Sequence, residues 1–287
     1  MSAPAVALPR PVSARLAASI GARGTLAGGA ALALAICGLS LFGRLAWHAS
    51  PYAIHGHHTL LAPTREFPLG TDQIGRDLLA RLIAGGRATL IVALPASALG
   101  FLLGITYGLA AALGPRWLDA TLMRLLDAVL ALPGLVMLIF FAALFTPDTF
   151  TLILLLGLTA WPGLARLVRN EAIAQRGRDF ILAARQFGGG SAYLARVHIL
   201  RVIAPILAVN ATFLVGDQIL ALSGLSFLGL GVQPPMASWG GLLESGLNLI
   251  ALDPWWMILP PGLMIFLSIL AANLIGQGLL ARQDAAR

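Results

Sequence analysis

Long apolar runs dominate the sequence, and shorter stretches rich in arginine, glycine and proline separate them. Six runs are long enough to cross about 30 Å of hydrocarbon, because an α-helix rises about 1.5 Å per residue. They are residues 25–46, 88–113, 122–146, 149–168, 203–224 and 256–280. The pattern therefore predicts an all-α polytopic membrane protein with six transmembrane helices.

Three of the intervening stretches are long. Residues 47–87 and 225–255 lie on one side of the predicted membrane, and residues 169–202 lie on the other. The stretch 225–255 is too apolar to be freely solvated, so we expect re-entrant or interfacial helices there. The pattern divides the chain into a first helix with its loop, residues 25–87, and a core of five helices, residues 88–282.

An amphipathic pattern followed by three glycines lies within the stretch 169–202, in the sequence RDFILAARQFGGGSAYLARVHIL. Four apolar positions share one face of a short helix: Phe180, Ala183, Ala184 and Phe187. Gly188 and the next two glycines interrupt the helix, and a second helical pattern follows. The predicted helix, turn and helix present an apolar knob with a basic rim, which either lies on lipid headgroups or inserts into another protein.

Composition supports a membrane location. The 287 residues are 58% hydrophobic and 11% charged, whereas soluble domains are about a quarter charged. The net charge is +7 and all 19 basic residues are arginines. Because these arginines lie between apolar runs, we interpret them as determinants of membrane topology and expect no nucleic-acid partner. The one cysteine, Cys37, lies in an apolar run and is interpreted as a buried apolar side chain.

The arginines are distributed unevenly between the two sides of the predicted membrane. With the N-terminus in the cytoplasm, fourteen lie in cytoplasmic stretches, and Arg44 lies at the outer end of the first run. The extracytoplasmic stretches hold four: Arg65, Arg76, Arg81 and Arg87. The positive-inside bias therefore predicts cytoplasmic tails at residues 1–24 and 283–287. The first run resembles a signal anchor that stays in the protein.

Two features depart from uniformly apolar helices. We expect packing kinks at prolines within the runs, for example at Pro95, Pro133 and Pro162. Asp217 and Gln218 lie inside the fifth run, where a charge costs about 2.5–3.5 kcal/mol on insertion scales. We therefore expect Asp217, and with it Gln218, to contact either a partner subunit or a water-filled pathway.

No catalytic constellation is apparent, and we expect no catalytic residue and no cofactor. The sequence has no G-x-x-x-x-G-K-[ST] phosphate loop and no lysine to build one, so ATP hydrolysis by that route needs another protein. Hydrolase and zinc-protease motifs are also missing. The imidazoles of His55, His57 and His58 suit nickel, copper or zinc, but we interpret this cluster as a solvated loop, with a metal site as the alternative.

Four motifs follow one another along residues 25–282. The first is GTDQIGRD, which contains Gly70, Thr71, Asp72, Gly75, Arg76 and Asp77. The second is LMRLLDAVLALPGL, the third is the glycine-broken loop, and the fourth is LSFLGLGVQPPMASWG. In this order they resemble the C-type permease subunit of bacterial ABC importers for dipeptides, oligopeptides and nickel, and the third is similar to that family's Glu-Ala-Ala-x3-Gly loop. We expect the acidic residues of the first motif to cap and pair around a short external helix, with contact to a binding protein as the alternative.

The resemblance implies a type I ABC importer permease fold in the cell inner membrane. It implies a second permease subunit, two cytoplasmic ATPase subunits and an extracytoplasmic substrate-binding protein as partners. The glycine-broken loop would form a coupling helix that docks on an ATPase, with the family's signature positions at Leu182, Ala183, Ala184 and Gly188. Docking would transmit ATP-driven closure to the spans as a rigid-body movement.

Some positions depart from the family pattern and bear on the substrate. The loop ends in Leu200-Arg201 where Leu-Pro is usual, and Gly276-Gln277-Gly278 replaces the usual Gly-Asp-Gly. We expect di- or oligopeptides as substrates, with nickel or a metal chelate as the alternative. A self-contained secondary transporter and a membrane-embedded enzyme are remote alternatives, since only Asp217 and Gln218 offer deep polar groups.

Overall fold

The computed structural model describes residues 12–145 and 148–286. The regular secondary structure within these ranges is helical, apart from an isolated bridge between Thr71 and Asp77. The helices are α1 (Val12–Ala46), α2 (Leu78–Leu113), α3 (Arg116–Leu130), α4 (Gly134–Leu144), α5 (Thr149–Arg176), α6 (Asp179–Gln186), α7 (Ser191–Tyr193), α8 (Leu200–Phe227), α9 (Trp239–Leu247) and α10 (Trp255–Ala286). A π-helical segment, Leu194–Ile199, joins α7 to α8, and a 3-10 turn, Ile250–Leu252, follows α9.

Five helices within the described ranges are long and apolar enough to cross a membrane. They are Arg23–Ala46, Leu78–Leu113, Thr149–Arg176, Ser191–Phe227 and Trp255–Gln283. Helices α3 and α4 pass the same test only as a pair, which makes six crossings if the pair is one span. The prediction of an all-α polytopic protein is confirmed.

The run 122–146 does not form one straight helix, and its break lies at Pro133, one of the prolines where a kink was expected. The chain bends by 79° between α3 and α4, and Pro133 lies immediately before α4. Proline has no backbone N–H to continue the ladder of α3, and it disfavours the helical conformation at Leu132. Pro95 and Pro162, in contrast, lie within the continuous helices α2 and α5.

The helices extend beyond the apolar runs that predicted them. Helix α1 begins at Val12, within the predicted tail of residues 1–24, and α2 begins at Leu78, within the predicted loop. The predicted division at residues 87 and 88 therefore falls inside α2. With 36 residues, α2 is about 54 Å long, so it must protrude from a hydrocarbon layer of about 30 Å. Arg10 and Arg287, which were assigned to the two tails, lie outside the described residues.

Close contacts between small residues hold the long helices together. Gly100, Gly104 and Gly108 repeat at every fourth position of α2 and face α5. A Cβ atom at Gly104 would lie 2.8 Å from the side chain of Leu164, so only glycine allows this approach. Such small-residue faces are typical of helix pairs in membranes, where close packing replaces the hydrophobic effect as the main attraction.

The bundle has two distinct ends. Residues 47–77 and 228–254 lie at one end together with the start of α10, where the Trp256 Nε1–H donates to the Thr71 carbonyl at 3.3 Å. We call it the motif end. The segment 177–199 lies at the other end, where Arg176 donates to the carbonyl of Ala112 near the end of α2. We call this segment the helical loop.

Candidate functional site

The helical loop folds as the predicted helix, turn and helix. Helix α6 ends at Gln186, and Gly188 then adopts a φ of +86°, a left-handed conformation that favours glycine. The Gly188 N–H donates to the Arg185 carbonyl and the Gly189 N–H donates to the Ala184 carbonyl, both at 3.0 Å. These two bonds form a Schellman motif, which satisfies carbonyls at the end of α6 and turns the chain back toward α8.

One side of the helical loop is anchored in the bundle. Ile181 is 0% exposed, and Leu194 and Ile199 are also buried. They belong to one apolar cluster with residues of α2, α5 and α8: Ala112, Leu164, Val168, Ala172, Ile203 and Leu207. The four-residue face predicted from the sequence does not include Ile181. The sequence shows that Ile181 is apolar and lies between Phe180 and Leu182. Spacing alone, however, does not show which apolar face of a short helix is buried.

The opposite side of the helical loop is an exposed apolar knob, formed by Phe180, Leu182, Ala183 and Phe187. Phe187 at its tip is 92% exposed. Ala184 is half-buried, and three arginines surround the knob with exposed side chains: Arg178, Arg185 and Arg196. A contiguous apolar surface with a polar rim is typical of a site that another protein or a membrane surface covers.

The backbone conformation of Gly188 leads to a specific prediction. A Cβ atom at Gly188 would meet nothing within 4 Å, so its positive φ, and not its small size, is the constraint. We expect Gly188→Val to weaken the loop by about 1–3 kcal/mol and Gly188→Asn to be milder, since asparagine tolerates this conformation. Protease sensitivity of the loop in purified protein measures the effect.

Gly190 provides the matched control for this prediction. It has a φ of −70°, and a Cβ atom there would also meet nothing within 4 Å. Gly190→Val should therefore leave the protease sensitivity close to that of the wild type. Equal effects of valine at Gly188 and at Gly190 would contradict the backbone argument.

Asp72 is the electrostatic centre of the motif end. Its side chain is almost completely buried and accepts backbone N–H groups from Ile74 at 3.0 Å and Arg76 at 2.9 Å. It also forms ion pairs with Arg76 at 2.6 Å and with the buried Arg81 at 3.4 Å. One buried carboxylate therefore pairs with two guanidinium groups, in line with the local pairing expected for this motif.

The remaining motif residues join the first loop to α2. Asp77 caps α2 by accepting the Ala80 N–H at 2.9 Å. The expectation of a short external helix is therefore wrong, because the helix that Asp77 caps is the long helix α2. Thr71 accepts the Leu61 N–H at 2.9 Å. Gly70 and Gly75 have positive φ angles, and a Cβ atom on either would lie within 2.4 Å of a backbone oxygen. The motif is therefore packed as a structural element.

Asp217 and Gln218 are adjacent in α8 but point in different directions. Asp217 is exposed on the surface of the bundle. Gln218 is buried, and its Oε1 atom has no hydrogen-bond partner within the part of the chain that the structure describes. The two side chains therefore do not form a joint site, and only Asp217 is available to a partner or a pathway.

The histidine cluster packs around an aromatic side chain. The rings of His55 and His58 lie 5.7 and 5.6 Å from the ring of Phe67. Among the described residues, no three His, Cys, Asp or Glu side chains are placed to hold a metal ion. The metal alternative for this cluster therefore gains no support from the geometry.

These features define a class of protein, a multi-pass membrane protein with an exposed apolar knob on its helical loop and with no phosphate loop in its sequence. The chain belongs to the family described as the binding-protein-dependent transport system inner membrane component, which matches residues 89–286. It is therefore a permease subunit of an ABC importer and not an enzyme.

Curated relatives share most of the chain's length. A putative peptide permease protein of Brucella suis is 39% identical over 220 residues, which cover 76% of this chain and 72% of the relative. The di/tripeptide transport system permease protein DppC of Pseudomonas aeruginosa is 39% identical over 213 residues, covering 74% and 70%. The dipeptide transport system permease protein DppC of Bacillus subtilis is 36% identical over 225 residues, covering 78% and 69%.

Proposed function

We propose that this permease imports di- or oligopeptides and forms the translocation pathway together with a second permease subunit. Two cytoplasmic ATPase subunits and an extracytoplasmic binding protein complete the assembly. The names of the relatives in Brucella, Pseudomonas and Bacillus support the peptide substrate. Nickel remains the alternative within the class.

The observation that carries the coupling role is the two-sided helical loop. Phe187 extends from one side, where a groove of an ATPase subunit can receive it. Ile181 fixes the other side in the cluster shared with α2, α5 and α8. Because packed interiors deform little, a displacement of the knob moves these helices with it. Closure of the ATPases on ATP therefore changes the direction in which the pathway opens.

The same assignment orients the protein. The helical loop and both termini lie in the cytoplasm, and the motif end faces the binding protein. Arginine distribution supports this orientation through the positive-inside bias. The exposed position of Asp217 within α8 suits contact with the second permease or with a hydrated pathway.

A pulldown from native membranes tests the assembly. The tagged permease, solubilised in a mild detergent, should recover a second permease and an ATPase subunit that mass spectrometry identifies. A known ABC complex treated in parallel shows that the conditions preserve such assemblies. Recovery of the permease alone under these conditions would contradict the coupling role and favour a lipid-surface role for the helical loop.

Transport by the purified assembly in proteoliposomes tests the substrate. We expect ATP-dependent uptake of a labelled dipeptide in the presence of the binding protein, and no uptake without ATP. Uptake of Ni²⁺ but not of peptides would select the alternative substrate. ATP-independent uptake by the permease alone would favour a secondary transporter.

A further inference from the structure

Two arginines line a cavity at the motif end. The cavity, of about 280 Å³, lies between the last turns of α1, the first part of α2 and residues 232–237. Arg44 enters it from α1 and Arg87 enters it from α2, and both side chains are exposed. Among the residues that the structure describes, those that line the cavity include no carboxylate.

The charges of these two arginines are not balanced within the described part of the chain. Arg76 and Arg81, at the same end, pair with Asp72. Arg44 and Arg87 have no carboxylate within ion-pair distance among the described residues. Arg87 immediately precedes the apolar run 88–113, and Arg44 lies near the end of the run 25–46, so both lie at one predicted membrane boundary. An anion from outside the chain is the natural counter-charge there.

The side chains that line the cavity change from polar to apolar in the direction from the motif end toward the membrane centre. Trp47 and Tyr52 lie beyond Arg44, toward the end of the bundle, as aromatic residues do at membrane interfaces. Ile91, about half-exposed, and the buried Val92 follow Arg87 by one helical turn toward the membrane centre. Aromatic, cationic and apolar groups therefore succeed one another in the order in which a phospholipid presents its interface, phosphate and acyl chains.

Hydrogen bonds and close helix packing fix the residues around the cavity. The Trp47 indole N–H donates to Asp77 at 2.9 Å, and Arg81 donates to the Pro51 carbonyl at 3.4 Å. At the floor, a Cβ atom on Gly86 would lie 2.3 Å from Ser40 Oγ, which shows how closely α1 and α2 approach. Hydrogen bonds to Asp77 and Arg81 thus fix two residues that line the cavity, Trp47 and Pro51.

We propose that this cavity binds an anionic phospholipid from the leaflet at the motif end. The phosphate lies between the guanidinium groups of Arg44 and Arg87, and an acyl chain leaves along Ile91. The lipid supplies the counter-charge that the described part of the chain lacks and fills the space between α1 and α2. This inference does not depend on the identity of the transported substrate.

Lipid retention in nanodiscs tests the proposal. Purified permease, together with any subunits that copurify, is placed in nanodiscs of phosphatidylcholine with a minor fraction of phosphatidylglycerol. Native mass spectrometry then counts the phosphatidylglycerol that remains bound. We expect affinity to fall about fivefold for Arg44→Gln or Arg87→Gln alone and about 25-fold for both, from about 1 kcal/mol per arginine. Arg65→Gln is the matched control, because Arg65 is an exposed arginine of the motif end that does not line the cavity.

A second variant keeps both arginines and removes the space. Ala84 lines the cavity one turn from Arg87, so Ala84→Phe should also displace the lipid. Unchanged phosphatidylglycerol in the double arginine variant, or an equal loss in Arg65→Gln, would overturn the proposal. Full displacement by millimolar inorganic phosphate would assign the site to a soluble anion. The double variant is also compared with the wild type for binding-protein affinity in pure phosphatidylcholine. A lower affinity of the double variant there would assign the arginines to a protein contact.

Discussion

Phe187→Ala is expected to release the ATPase subunits from the permease. Phe187 is 92% exposed at the tip of the apolar knob, so the free permease loses no internal contact when its ring is removed. Burial of a phenylalanine side chain in a partner contributes about 1.5–3 kcal/mol, and aromatic anchors at the centre of an interface contribute more than 2 kcal/mol. The affinity for the ATPase should therefore fall about 10- to 100-fold, with loss of ATP-dependent uptake.

Affinity between purified permease and ATPase in nanodiscs measures this effect. Phe150→Ala is the matched control, because Phe150 is an exposed phenylalanine near the start of α5, away from the helical loop. Its substitution should leave ATPase affinity unchanged. Wild-type affinity and uptake in Phe187→Ala would contradict the docking role of the knob.

Ile181 allows docking and transmission to be separated. Its side chain is fully buried between α6 and the bundle and does not belong to the exposed knob. Ile181→Ala should leave ATPase affinity near the wild-type value but loosen the link to α5 and α8. ATP hydrolysis would then continue with reduced uptake. Equal loss of affinity in the Ile181 and Phe187 variants would show that the loop acts only as a folded whole.

Asp72→Ala is expected to destabilise the protein more than any other single acidic substitution at the motif end. It leaves the buried Arg81 without its carboxylate and removes the partner of Arg76. Loss of one partner from a buried ion pair costs about 3–5 kcal/mol, because the remaining charge stays desolvated. The thermal unfolding midpoint in detergent should fall by roughly 10 °C.

Two further variants make this stability prediction specific. Glu66→Ala removes an exposed acidic residue of the same loop and should shift the midpoint by no more than a few degrees. Asp72→Ala combined with Arg81→Met removes both buried charges and should recover part of the lost stability. A midpoint as low in the double variant as in Asp72→Ala would show that the hydrogen bonds to Ile74 and Arg76, and not the charge balance, hold the loop.

Some properties of this protein follow from its sequence alone. The apolar runs determine a polytopic helical membrane protein, because unpaired backbone groups are too costly in hydrocarbon for other spanning structures. The helix, turn and helix of residues 178–200 follows from local spacing and three glycines, since short-range geometry decides both. The order of the four motifs along the chain by itself indicates the permease family.

Other properties depend on the tertiary structure. Spacing placed Phe180 and Phe187 on one face of α6, but only packing shows that Ile181 is the buried anchor. Pro95, Pro133 and Pro162 look alike in the sequence, yet only Pro133 ends a helix in the fold. The outcome at each proline depends on neighbouring helices, which a single chain segment does not specify.

The arginines illustrate the same division most clearly. Their uneven distribution along the chain predicts an orientation, because that bias acts on whole loops. Which arginines are neutralised depends on contacts between distant residues. The fold brings Asp72 to Arg81 and leaves Arg44 and Arg87 facing one cavity without a carboxylate. The sequence thus determined the membrane class, whereas only three-dimensional packing decided which arginines pair with a carboxylate among the described residues.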